Sequence, residues 1–306
     1  MEKTNENIVK NNLEKNNLEK NNKENKVKKN KTIFGFSIWR LIAYFIIYSV
    51  LGFVIETAFG AVTKGVLESR KSFLYGPFCA IYGLGAVVMI LCLQPFKKNN
   101  NTLFWGGFVA GSVIEYLVSL IGELIFHVIW WDYSDMPLNI NGRVCVYFSI
   151  FWGLLGIYLV SYINPKIDKL INFIKRKISD KALKIIEMIT AVFLIVDCLI
   201  TAYALKAFYI RMVKLHNINI GNVEMIDKEY DKMYGNKKKS DFIYKYWGDE
   251  KMIKTLPNLK LQDNDGKIVY FDSLLPDIQT YYYKFSDKGI RQKIVQDVEK
   301  VQKKGE

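Results

Sequence analysis

Residues 38–62 read IWRLIAYFIIYSVLGFVIETAFGAV, a run of 25 positions with only two charges, Arg40 and Glu56. A hydrocarbon core of about 30 Å takes roughly 20 apolar residues in a helix, so this run is long enough to cross a bilayer. Comparable windows follow at about 73–95, 103–126 and 144–163, and a fifth runs from about 185 to 208. Soluble buried helices of this length are rare, and five in succession are rarer. The pattern therefore predicts an all-α polytopic membrane protein of about five transmembrane helices. The whole-chain averages, 50% hydrophobic and 24% charged, would suit an ordinary globular protein. The distribution of the apolar residues, not their total, carries the membrane reading.

Outside the spans the chain is polar. Residues 1–37 hold NNLEK twice in tandem at 11–20 and ten asparagines before Lys31. Such a segment buries too little apolar surface to offset its ordering entropy, which predicts a disordered polar tail. Residues 38–208 form the expected transmembrane domain. Within it, 166–184 reads KIDKLINFIKRKISDKALK, with Ile167, Leu170, Ile171, Ile174 and Ile178 at helical spacing among basic residues. That spacing predicts an amphipathic helix lying in the interface, with a plain charged connector as the alternative. Residues 209–306 form a polar accessory region, read as a small α+β unit. It includes a hairpin around Asp265-Gly266 and a closing surface helix over 287–303.

The net charge of +13 does not call for nucleic acid, because the basic residues flank apolar spans, where anionic lipid headgroups attract them. The lipid bilayer is the expected partner. Lys and Arg also set orientation. The tail carries nine lysines, 96–102 carries Lys97 and Lys98, and 164–184 carries seven basic residues, all on one side by parity. The N-terminus is thus expected in the cytoplasm, and five spans leave the C-terminus extracytoplasmic in a multi-pass protein of the cell membrane. Cys79, Cys92, Cys145 and Cys198 show no zinc spacing. They read as small core residues, with a Cys79–Cys145 bond as the alternative.

GFVIE at 52–56 returns as GSVIE at 111–115. Each glutamate lies on a ridge of small residues: Gly52, Glu56 and Gly60 in one helix, and Gly107, Gly111, Glu115, Ser119 and Glu123 in the other. Rows of this spacing share a helix face and let backbones approach closely in lipid. Each helix is followed by an arginine, Arg70 or Arg143, and then by an aromatic-Gly-Leu step, Tyr82-Gly83-Leu84 or Trp152-Gly153-Leu154. The two halves predict a parallel internal repeat of two helices, against chance recurrence in a glycine- and isoleucine-rich chain. A carboxylate at membrane depth persists only when protonated, paired or facing water. At 1.5 Å per residue, Glu115 and Asp197 fall near the midplane, and Glu56 and Glu123 nearer the outer face. The expected site is a polar cluster of Glu56, Glu123, Asp132, Arg70 and Arg143. It is either a substrate or proton site or a structural ion-pair lock.

LYGPFCAIYGLGA at 74–86, the Glu115-Tyr116 pair, WWDYS at 130–134, and NINGR at 139–143 followed by Trp152-Gly153 together resemble the putative ABC-transporter type IV family of permease-like bacterial membrane proteins. The resemblance covers about residues 40–165. It departs from the family pattern at Ser69-Arg70-Lys71 and at Ala80. It implies a permease-like component and adds Tyr116 to the site candidates. Read physically, Trp130, Trp131 and Tyr133 suit an interfacial aromatic belt, and Asp132 suits a partner for Arg143.

No GxxxxGK[ST] phosphate loop occurs, so ATP-driven transport would need a separate ATPase subunit. Three functions remain open: a permease-like transporter component, a non-transporting membrane scaffold or regulatory protein, and a membrane-embedded enzyme acting on lipid or an envelope precursor. The enzyme reading has the least support, since there is no HExxH or GxSxG, and the two histidines, His127 and His216, stand apart. No catalytic residue, metal ligand or cofactor is expected, and assembly into a homo-oligomer is left open.

Overall fold

A computed structural model describes residues 32–126, 132–221 and 223–286, with the side chains of 122–126 and of Gln262 outside the described set. The expected tail up to Lys31, the Trp130-Trp131 pair and the closing helix over 287–303 lie outside the described residues. The chain divides at Leu41 into two units. In the first, β1 (Thr32–Ile33) pairs with β2 (Phe36–Ser37) across a turn in which Phe34 and Gly35 both have positive φ. Ser37 Oγ then accepts the Arg40 N–H at 3.2 Å and caps the first turn of α1 (Ile38–Lys64).

The second unit, from Ile42 on, is a helical bundle with a small mixed region at one end. The helices of the bundle are α1, α2 (Ala80–Leu93), α3 (Asn100–Phe126), α4 (Val146–Ile157), α5 (Asn164–Lys177) and α6 (Asp180–Leu215). Four stretches are long and apolar enough to cross a membrane: Ile38–Lys64, Asn100–Ile121, Val146–Lys177 and Asp180–Leu215. Most of their outward side chains are apolar and exposed, such as Val54, Phe59, Val109 and Leu199, as lipid requires.

The expected span at 73–95 is shorter than its hydropathy indicates. Its helix begins only at Ala80 and ends in a 3₁₀ turn, Gln94–Phe96. The cause is Gly76-Pro77: Gly76 has φ +71, and Pro77 disfavours the helical region for the residue before it. The helical part is about 25 Å long, and residues 69–79 reach it as irregular chain. β3 (Val66–Glu68), just after α1, pairs antiparallel with β8 (Tyr281–Lys284), which follows α6. The end of α1 is thereby tied to the chain that follows the accessory region.

The segment expected as a separate interfacial helix instead continues the fourth span. Val146–Lys177 is one helical stretch of 32 residues, with a π-helical turn at Tyr158–Ile163 between α4 and α5. The π turn sits immediately before Asn164-Pro165. A proline inside a helix lacks its N–H and crowds the preceding turn, and wider winding there relieves the conflict. Ser179 then caps α6 by accepting the Ala182 N–H at 3.2 Å.

With 36 residues, α6 is about 54 Å long, well beyond the hydrocarbon thickness. Its last turns form the centre of the accessory region, built from α7 (Val223–Tyr234), α8 (Lys237–Trp247), α9 (Asp249–Thr255) and a hairpin of β6 (Lys260–Gln262) and β7 (Ile268–Tyr270). The hairpin surrounds Asp265-Gly266 as expected, and Gly266 has φ +78. Ala207, Phe208, Met233, Ile243, Ile253 and Phe271 form its core, which Leu74 joins from the irregular segment before α2.

Candidate functional site: carboxylate locks between helices

The two GxVIE motifs produce the same contact twice. In the first pair, Tyr82 of α2 lies on Gly52 of α1 so closely that a Cβ on Gly52 would stand 2.3 Å from Tyr82 Cβ. Its hydroxyl donates to Glu56 Oε1, one turn further along α1. In the second pair, Trp152 of α4 lies on Gly111 of α3, where a Cβ would stand 2.4 Å from Trp152 Cβ. Its Nε1–H donates to Glu115 Oε2 at 3.0 Å. The following glycines match as well. A Cβ on Gly83 would meet Phe45 O at 2.5 Å, and one on Gly153 would meet Phe104 O at 3.0 Å. Phe45, Gly52 and Glu56 each stand 59 positions before Phe104, Gly111 and Glu115, and Tyr82-Gly83 stands 70 before Trp152-Gly153. The glycine lets the aromatic residue approach, and the glutamate one turn on accepts its polar edge. Gly107 extends the second contact, 2.8 Å from Trp152 O in the same sense.

The loop between α3 and α4 distinguishes the two locks. β4 (Asn139–Ile140) and β5 (Val144–Cys145) form a hairpin whose turn, Asn141-Gly142-Arg143, needs positive φ at Asn141 and Gly142. Asn139 Oδ1 accepts the Gly142 N–H at 3.0 Å, and Gly142 O accepts the Tyr133 N–H at 2.8 Å. This fixes Tyr133, stacked on Phe148 at 4.6 Å, so that its hydroxyl donates to Glu115 Oε1 at 3.1 Å. Burial and the Glu115 charge hold the Tyr133 phenol above its ordinary pKa. Both oxygens of Glu115 are thus engaged and the residue is 7% exposed. Glu56 in the first lock is partly buried, with Tyr82 as its donor. Asn141 Nδ2 donates to Tyr116 OH at 3.0 Å, and the Arg143 guanidinium lies 5.9 Å from the Tyr116 ring centroid.

Of the expected cluster of Glu56, Glu123, Asp132, Arg70 and Arg143, the described contacts give Arg70 and Asp132 other partners. Arg70 lies against Gly60 and donates to Glu68 Oε1 at 2.5 Å, not to Glu56. Glu68, two residues away on β3 and buried, also takes Lys64 at 2.6 Å. Asp132 is not the partner of Arg143. Its Oδ1 accepts the Ser134 N–H and hydroxyl at 2.9 and 2.6 Å, which lower its pKa and close a tight local turn. The Glu123 side chain lies outside the described residues. All four cysteines are free, so Cys79 and Cys145 are not bonded to each other.

Asp197, 1% exposed in α6, has a clear local task. Its carboxylate accepts the Tyr75 N–H at 3.2 and 3.3 Å and the Thr201 hydroxyl at 3.2 Å, and Thr201 Oγ1 accepts the Leu74 N–H at 3.0 Å. Irregular backbone at membrane depth is tolerated only where its polar groups are satisfied within the protein. Asp197 and Thr201, one turn apart, supply those acceptors.

Two further networks escaped the sequence reading. Towards the other end of the bundle, Tyr48 OH donates to Asn164 Oδ1 at 3.1 Å, Asn164 Nδ2 donates to Tyr44 OH at 3.2 Å, and Tyr44 OH donates to Asp168 Oδ1 at 2.5 Å. The i, i+4 spacing of Tyr44 with Tyr48 and of Asn164 with Asp168 was the available signal. In the accessory region Arg211 is fully buried. Its Nε and Nη2 reach Asp249 Oδ1 at 2.8 and 2.5 Å, Nη1 reaches Tyr234 OH at 2.9 Å, and Nη2 reaches Trp247 O at 3.1 Å. No group of three or more His, Cys, Asp or Glu suited to a metal ion occurs among the described residues.

A family model described as Putative ABC-transporter type IV matches residues 43–202, just over half of the chain. The match runs past the stretch that carried the resemblance and takes in Asp197 and Thr201. No curated protein and no solved structure matches.

Proposed function

The chain belongs to the Putative ABC-transporter type IV family, and from that premise we propose that it is a permease-like membrane subunit driven by a separate ATPase. The observation that carries this reading is the repeated lock. α1 with α2, and α3 with α4, are each clamped by an aromatic residue seated on a glycine and bonded to a glutamate. Two similarly built helix pairs suit alternating access by rigid-body rocking of one repeat against the other. Glu56, Glu115 and Asp197 are all engaged by donors of this chain, which favours structural locks over a proton relay. Energy is then supplied by the partner's nucleotide hydrolysis.

In this reading the N-terminus is cytoplasmic, as the basic flanks favour, and the accessory region stands outside with the loop after α1. Single cysteines at Ser37 and Asp265 would label from opposite sides of intact cells.

A non-transporting scaffold is the second reading, and the same locks favour it, since they also make a rigid platform. The two separate on purification from native membranes. A permease subunit co-purifies with a phosphate-loop ATPase whose hydrolysis rate changes when Trp152→Phe loosens the second lock. An assembly without ATPase activity, or with a rate indifferent to the variant, rules out the permease reading.

A further inference from the structure

At the end of the bundle opposite the accessory region, α1, α5 and α6 enclose a crevice of about 130 Å³. Its walls are Ile46 and Ile47 of α1, Ile171 and Ile174 of α5, and Leu183 and Ile186 of α6. Thr190 and the buried Glu187 supply its polar atoms. The α6 wall has a direction. Asp180, Leu183, Glu187 and Thr190 follow i, i+3, i+7, i+10 spacing and so form one stripe, which places Asp180 at the crevice end next to the α5–α6 turn. There Asp180 holds Lys184 at 2.6 Å and Lys175 at 3.5 Å, with all three side chains open to solvent. Arg176, Lys177 and Lys181 crowd the same turn.

A narrow slot with apolar walls on three helices suits a polymethylene chain. A mouth where one exposed carboxylate holds two lysines, with three more cations close by in sequence, suits a phosphate. We infer that the crevice holds an acyl chain of an anionic phospholipid whose phosphate sits on Lys175 and Lys184 in place of Asp180. Exposed ion pairs such as those of Asp180 contribute little, so a phosphodiester displaces the carboxylate readily. The site lies away from the carboxylate locks and does not depend on transport.

The test uses full-length protein in nanodiscs of phosphatidylglycerol and phosphatidylcholine in equal parts, extracted into detergent, with retained lipid counted by native mass spectrometry. Phosphatidylglycerol should be retained preferentially, and Lys175→Gln and Lys184→Gln should each lower that preference about fivefold, as one cation near an anionic surface implies. Ile47→Trp fills the slot without altering charge and should abolish retention while leaving the thermal unfolding midpoint in detergent unchanged. Thr190→Leu serves the same purpose should Ile47→Trp shift that midpoint. Equal retention of both lipids overturns the site. So does a filled slot that retains phosphatidylglycerol like the parent, since the basic turn would then act only as a charged surface.

Discussion

Trp152→Phe keeps an aromatic ring over Gly111 and removes the N–H that Glu115 Oε2 accepts at 3.0 Å. Glu115 is 7% exposed, so water replaces the lost donor poorly. A hydrogen bond to a charged group is worth about 1.5–3 kcal/mol in general. Interhelical bonds measured by double-mutant cycles in membranes average about 0.6 kcal/mol and reach about 1.7. Glu115 keeps Tyr133 as a second donor, which limits the damage and sets the expected coupling near 1 kcal/mol. The cycle pairs Trp152→Phe with Glu115→Met, read by reversible unfolding in mixed micelles. The matching cycle of Tyr82→Phe with Glu56→Met should give a smaller coupling, because Glu56 is only partly buried. If the Trp152 and Glu115 effects add to within about 0.3 kcal/mol, the indole and the carboxylate do not form a lock and the account of the repeat fails.

Gly83→Ala places a Cβ 2.5 Å from Phe45 O; because backbone cannot yield as a side chain does, about 1–3 kcal/mol should be lost, read in the same micelle assay. Asp197→Leu strands the Tyr75 N–H and removes a partner of Thr201, so a single cysteine at Ser72 should become more reactive, while Asp197→Asn, which keeps an acceptor, should leave it close to the parent. Asp249→Ala leaves the buried Arg211 guanidinium without its anion. About 3 kcal/mol should be lost from the accessory region, visible as faster hydrogen exchange over 223–286 than over α1. The Tyr234 phenol is pushed up from 10.0 to about 12 chiefly by burial, with Arg211 opposing. A folded-state pKa above the unfolded one gives a contribution fully present below pH 10 and lost as pH rises through about 12. Alkaline melting of the accessory region should show this slope, and Tyr234→Phe should lack it.

Much of the site was legible locally. The placement of Gly52 with Glu56, and of Gly111 with Glu115, follows from helical spacing alone, and the aromatic-Gly-Leu steps announced the residues that meet them. The partners of Arg70 and Asp132 were misjudged because neighbours along the chain, Glu68 and Ser134, reach them first. Proximity to an arginine in a membrane map was a weaker guide than two residues of sequence. No local signal marked Arg211, because the partners that bury it come from α7, α8 and α9.

Hydropathy runs are a property of successive residues, so the sequence by itself determined that the chain crosses the membrane several times and that its carboxylates lie inside those crossings. Helical periodicity, equally local, determined which glycine shares a face with which glutamate. The tertiary structure decided what each carboxylate accepts. Tyr75 and Asp197 are 122 residues apart, and Tyr44 and Asp168 are 124 apart. β3 pairs with β8 across the whole run of helices from α2 to α9. Hydrogen bonds across such separations form where packing brings donor and acceptor together, and no period along the chain records that.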